Sequence, residues 1–368
     1  MPTGAGGAVV EAMTDLPRRR VETPSGALSV IDLPRWLGTH LPHMPFVLRV
    51  LVENHIRAGG DRIAMEAALA SWRGGTRPHH DLTLRPDRLL MHDTTCTPAL
   101  VDVAAMRTAL AGQGVDPRRL SPTLPVDVSV DHSLAVDAYG SPDALAHNSA
   151  NEIARNKERY SFLKWASAAL DGVRVHPPGT GIMHTLNMEQ LAQVVWAGPD
   201  GTAHPELMLG TDSHTPMVNG LGVMAWGIGG LEAQCVMFGD PVSIAWPEVV
   251  GVRLEGRLPA GVLSTDLALH VTHHLRALGV AGRFVEFFGE GVSTLRADDR
   301  AVVANMAPEY GATTGYFPPD AESLSYLCRT EREALAPRAA PVLQAMGVWF
   351  SPADSPVYDD ETIIDLSA

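Results

Sequence analysis

Residues 206–215 read ELMLGTDSHT. A short apolar run ends at a glycine and passes at once into Thr, Asp, Ser and His. An apolar run of this length, closed by a turn residue, reads as a buried strand. Residues 124–133, LPVDVSVDHS, follow the same pattern: Leu124 to Val130 alternates as a strand and runs into Asp131, His132 and Ser133. In α/β sheets the carboxyl ends of the strands face the ligand crevice. Two strands that each end in Asp and His therefore place titratable groups where a small molecule would bind.

Working outward from these junctions, helix and strand patterns alternate, which predicts an α/β protein built in layers. Phe46 to Ala58 (FVLRVLVENHIRA) has helical apolar spacing. Pro98 suits the first turn of a helix over Ala99–Leu110. Ser149 to Leu170 reads as one long charged helix, and Val173 to Val175 as a short strand ended by HPPGTG. The glycine-rich stretch GLGVMAWGIGG, residues 220–230, matches neither a P-loop nor a dinucleotide fingerprint. Close packing of a helix on the sheet accounts for it better. A second unit begins near Pro247. It holds the strand EVVGVRLEGRL, a helix over Thr265–Leu278, the buried strand GRFVEFFGEGV, a helix over Asp298–Met306 stopped by Pro308, and a terminal strand. The expected division is residues 1–246 and 247–368.

Composition narrows the function classes. The 368 residues carry a formal net charge of −14, which disfavours non-specific nucleic-acid binding. LPRRR and RGGTRP are local basic clusters and read as solvated loops. No run of eighteen apolar residues indicates a membrane span. The first twenty residues place their arginines after the apolar patch, the reverse of a secretory signal, and read as a flexible lead-in. A cytoplasmic location is the expectation. Cys96, Cys235 and Cys328 have no CxxC spacing, so neither a disulfide frame nor a zinc motif is indicated.

Four blocks carry a resemblance: HDTTCTPALVDVAAMR (92–107), VDHS (130–133), GTDSHT (210–215) and NMAPEYGAT (305–313). Together they resemble the N-terminal half of the aconitase family, over about Val47 to Asp365. The resemblance implies layered α/β/α domains like the first two of that family, and a hydro-lyase or isomerase acting on a small carboxylate. It implies that Asp131 and His132 protonate a leaving hydroxyl, with His184, Asp212, His214 and Glu309 as further catalytic groups. Ser213 and Asn305 would bind substrate. His92 stands where the family usually has a substrate-binding Gln and would itself hold polar substrate atoms, and Cys96 stands where the family usually has Gly. The family's segment with three cysteines for a [4Fe–4S] cluster has no counterpart here. The expectation is thus a truncated, cluster-free enzyme that self-associates or pairs with a partner chain.

Other readings stay open at this stage. Cys96 lies four residues from His92, so an activated thiolate would make the protein a hydrolase or transferase. His92, His132, His184 and His214 with Asp131 or Asp212 are also the ligand types for one mononuclear metal, although their spacing gives no support for it. Half of a split enzyme and a non-catalytic binding protein are the remaining alternatives. Asp212, Ser213 and His214 are not a hydrolytic triad, because adjacent side chains in one turn point apart.

Overall fold

A computed structural model describes residues 17–368 other than Gly74, His132 and Leu134. The lead-in over residues 1–16 and His132 therefore lie outside the described residues. The chain opens on an antiparallel hairpin, β1 (Arg18–Thr23) and β2 (Gly26–Ile31). The arginines of LPRRR thus sit in a strand and not in a loop. Next come β3 (Asp81–Leu84), β4 (Arg88–His92), β5 (Val126–Ser129) and β6 (Val173–His176), then the short antiparallel pair β7 (Val195–Ala197) and β8 (Ala203–Pro205). β9 (Leu207–Gly210), β10 (Met224–Gly227) and β11 (Val242–Ala245) follow, with β11 paired antiparallel to β3. β12 (Val249–Glu255), β13 (Phe284–Phe288), β14 (Thr314–Tyr316) and β15 (Asp360–Asp365) complete the set.

Two parallel sheets organise the protein. One has the order β10-β9-β4-β5-β6, the other β14-β13-β12-β15. Every pairing in both is parallel. Parallel sheets need helical crossovers, so both faces are covered and central strands read as continuous apolar runs. β5, β9 and β13 accordingly are buried along their whole length. β15, at a sheet edge, is mostly exposed and carries Asp360, Glu361 and Asp365, which discourages edge-to-edge pairing.

Two helix expectations change. The helix after β4 starts at Asp93 and runs to Gly112, with Pro98 inside it. His92 makes the early start possible: its Nδ1 accepts the Thr94 N–H at 3.0 Å and caps the first turn. The long charged helix is two, Ala144–Arg155 and Lys157–Ala169, broken at Asn156. Asn156 Nδ2 donates to the Glu152 carbonyl, the local side-chain bond by which Asn competes with helix continuation.

The sheets are sewn together by buried groups. Asn219 Nδ2 donates to the Val223 and Ala225 carbonyls, while its Oδ1 accepts the Gly315 N–H, so one side chain spans β10 and β14. A Cβ on Gly220 would sit 2.4 Å from the Ala301 backbone nitrogen. The glycine-rich stretch thus permits close packing on the helix Ala297–Asn305, where the sequence reading had placed the sheet. Glu286 of β13 accepts the Val47 N–H at 2.7 Å and the Tyr358 hydroxyl at 2.8 Å. It thereby caps the helix Phe46–Arg57 from the other sheet.

Burial raises the Glu286 carboxyl to about 7, against the lowering effect of those two hydrogen bonds. The folded state therefore holds a proton that the unfolded chain has lost between about pH 4.5 and 7. Stability from this group is full at the acid end and declines as pH rises through that window. Denaturant midpoints at either end of the window should show the decline in the wild type and a flatter response in Glu286→Gln. Equal slopes in the two proteins would assign it to other groups.

Candidate active site

The site lies at the carboxyl ends of β4, β5 and β9. Parallel pairing aligns them: His92 is level with Ser129, and Leu90 with Gly210. Beyond β9 the chain makes a tight loop. The Asp212 Oδ1 accepts the His214 N–H at 2.8 Å, and the Asp212 carbonyl accepts the Thr215 hydroxyl at 2.6 Å. This is the local bonding by which Asp stabilises a turn. Two glycines make room for it. A Cβ on Gly210 would lie 2.2 Å from Thr215 Oγ1, and one on Gly227 would lie 2.8 Å from the Asp212 carbonyl oxygen.

Four carboxylates hold three histidines. His92 Nε2 is 3.1 Å from Asp131 Oδ2, and its Nδ1 is 3.3 Å from Asp93 Oδ1. Asp93, and after it Asp131, raise the His92 pKa above the ordinary histidine range, against partial burial. His214 bridges two acids, with Nδ1 3.2 Å from Asp212 Oδ1 and Nε2 3.1 Å from Glu309 Oε1. His184 Nδ1 lies 3.0 Å from His214 Nδ1, the rings meeting edge to face, and its Nε2 is 3.8 Å from Asp131 Oδ2. Asn305 fixes the His184 loop by donating to the His184 carbonyl at 3.0 Å. Asn305 Oδ1 and Glu309 Oε2 are buried and have no donor among the described residues.

His92, Asp131, His184, Asp212, His214, Asn305 and Glu309 are therefore one connected cluster. Ser213 is exposed beside it, at the rim of a cavity of about 460 Å³ that also involves Gly227, Gly229 and Pro308. His132 lies outside the described residues, although its neighbour Ser133 is placed, its N–H donating to Glu152 at 2.7 Å. Asp93 was missed as a separate member. It accepts the Asp131 N–H at 3.2 Å and lies 3.2 Å from Arg159. Its only signal in the sequence is the first-turn position of a helix, where an acid is favoured in any case.

Cys96 departs from the nucleophile reading. It has no exposed surface, and burial, with the Asp93 charge adding to it, pushes the thiol well above its ordinary range. His92 cannot activate it, because both ring nitrogens are already engaged. Cys96 is a small core residue. Cys235 and Cys328 are exposed on the separate helices Gly230–Met237 and Ala321–Arg329. Among the described residues no three thiols converge; the group within reach of one metal ion is His184, Asp212 and His214. The cysteines of this chain do not fit a three-thiolate cluster.

Comparison with known proteins identifies the family. A profile of the aconitase family (aconitate hydratase) matches residues 64–368. Aconitate hydratase A of Legionella pneumophila is 46% identical over 336 residues, covering 88% of this chain and 37% of that protein. The Pseudomonas aeruginosa protein of that name is 45% identical over 345 residues, covering 92% of this chain and 38% of its own length. That of Thermus thermophilus is 46% identical over 362 residues, covering 95% and 40%. The chain thus spans about two fifths of the length of these relatives. No helix among the described residues is long and apolar enough to cross a membrane.

Alkylation of the native protein should label Cys235 and Cys328 and spare Cys96 until the chain is unfolded. A peptide map showing rapid native labelling of Cys96 would contradict its burial.

Proposed function

The chain belongs to the aconitase family, and we propose that its site performs acid–base hydro-lyase or isomerase chemistry on a small hydroxy-carboxylate. The observation that carries the reading is the His214 bridge between Asp212 and Glu309. An imidazole changes charge near neutral pH, and a carboxylate on each side orients it and stabilises its cation. A proton taken up at one ring nitrogen can be matched by release at the other. His214 is then suited to share a proton with Glu309 and so poise that carboxyl, whose Oε2 has no partner among the described residues, as acid or base toward substrate.

The other groups divide the remaining work. Elimination of water needs an acid at the departing hydroxyl and a base at the carbon-bound proton. Asp131, held by His92 and facing His184, stands on the acid side of this scheme together with its neighbour His132. The buried Glu309 Oε2 and Asn305 Oδ1, both acceptors without a protein donor among the described residues, are suited to take hydrogen bonds from a substrate hydroxyl. Ser213, exposed at the cavity rim, is placed to donate to a substrate carboxylate. The scheme uses only this chain's own residues and routes no step through an iron–sulfur cluster, whose ligands the three cysteines do not supply.

Turnover of a small hydroxy-carboxylate to its unsaturated acid, followed by absorbance of the new conjugated bond, tests this reading. His214→Asn should lower kcat by about 10²–10⁴-fold with the fold intact. Ser213→Ala should mainly raise KM, because its contact is made in ground and transition states alike. Full turnover in His214→Asn would remove the relay from the mechanism.

A further inference from the structure

We propose that a trough beside β6 binds a free amphipathic monocarboxylate, its apolar tail lying in the trough and its carboxylate on Lys164. The inference concerns binding alone and does not rest on the hydro-lyase reading. It starts from a spacing in the helix Lys157–Ala169. Tyr160, Leu163, Lys164, Ser167 and Ala168 recur at intervals of three and four, so they share one face of that helix. β6 is the outermost strand of its five-stranded sheet, and beyond it the chain runs into Pro177 and Pro178. Between the helix face and these segments lies a cavity of about 650 Å³, a size usual for small-molecule sites. Val130, Leu163, Val175, Pro177 and Pro178 give it apolar walls. Ile153, on the preceding helix, stands at its rim with 57% of its surface exposed. None of the carboxylates or imidazoles of the acid–base cluster lines it.

Charge decides what the trough accepts. Lys164 is the only charged residue among the described ones that line it, and its ammonium makes no hydrogen bond or ion pair among the described residues. The chain has 42 acidic and 28 basic side chains, so a cation left without a carboxylate is poorly explained by surface composition. A lysine in such a place lays its stem on apolar surface and keeps its ammonium at the edge of water. Ser167 follows one turn later on the same face. Its hydroxyl donates to the Val173 carbonyl at 3.4 Å, a long bond that a carboxylate oxygen can replace. Two donors one turn apart suit the two oxygens of one carboxylate. A hydrocarbon without a head group would leave both unanswered. A second carboxylate would bring an unpaired charge against apolar walls, which costs free energy.

Hexanoate, octanoate and decanoate, each below its micelle-forming concentration, should be titrated by calorimetry into the full chain at neutral pH. The proposal expects one saturable site whose affinity rises with each added methylene, by up to about fourfold where the methylene is fully buried. Lys164→Gln should weaken decanoate about threefold or more and leave decanol unchanged. Ala168→Trp, which fills the trough from an exposed helix position, should abolish binding of both. Ser213→Ala should leave decanoate binding intact, since that serine belongs to the acid–base site. An affinity independent of chain length overturns the assignment. So does decanoate binding that survives Lys164→Gln unweakened or persists in Ala168→Trp, and so does binding that Ser213→Ala removes. Failure of decanoate and decanol alike also overturns it, and leaves the trough to a protein partner. Turnover is not the readout, so a protein that binds decanoate without turning over a hydroxy-carboxylate counts against the catalytic reading and leaves this site standing.

Discussion

A buried ion cluster around Arg88 fixes where everything in the site falls. The Arg88 Nε donates to Glu206 at 3.1 Å, and the same guanidinium pairs with Asp127, which also accepts from Arg174 and His176. Arg88, Asp127 and Glu206 have 3%, 1% and 0% of their surfaces exposed. Such a cluster contributes little net stability, because desolvation offsets much of the attraction. Its force is against error. A slip of one residue turns every side chain of a strand to the opposite face, which would bury Asp127 without its cations. Arg88 opens β4 and His92 closes it, about 13 Å further on. Register set at one end of β4, β5 and β9 therefore decides which residues emerge at the other.

The site also depends on the second sheet. Asn305 ends one helix beyond β13 and Glu309 lies in the next, and both reach groups delivered by the first sheet. Asn219, Gly220 and Glu286 hold the two sheets close enough for that reach. Close packing is what makes 3 Å contacts reproducible across separate elements. A looser seam between the sheets would deprive His214 of Glu309.

Much of this was legible in the sequence, for reasons that are local. The strand-to-loop junctions at Gly210 and Val130 announced the α/β layering and the strand ends at which titratable side chains gather. The helix over Phe46–Arg57 and the strands β12 and β13 followed from spacing alone. The resemblance then gathered His184, Asn305 and Glu309, which no spacing connects. What stayed hidden was non-local. Asp127 looked like the polar half of an alternating strand, yet it is buried, because its cations come from β4 and β6. Cys96 could be read as a small core residue or as a thiol activated by His92, and helix geometry turns it into the core. The helix break at Asn156 and the early helix start at Asp93 both turned on single side-chain hydrogen bonds, to Glu152 and Thr94.

The account rests on imidazoles whose protonation is set by carboxylates, and on His214 above all. The ¹⁵N and ¹H imidazole resonances of the wild type and of Glu309→Ala measure this most directly. The account predicts a slowly exchanging, hydrogen-bonded Nε2–H on His214 that is lost when Glu309 is removed. A His214 with its proton on Nδ1 alone, or an Nε2–H indifferent to Glu309, would contradict it.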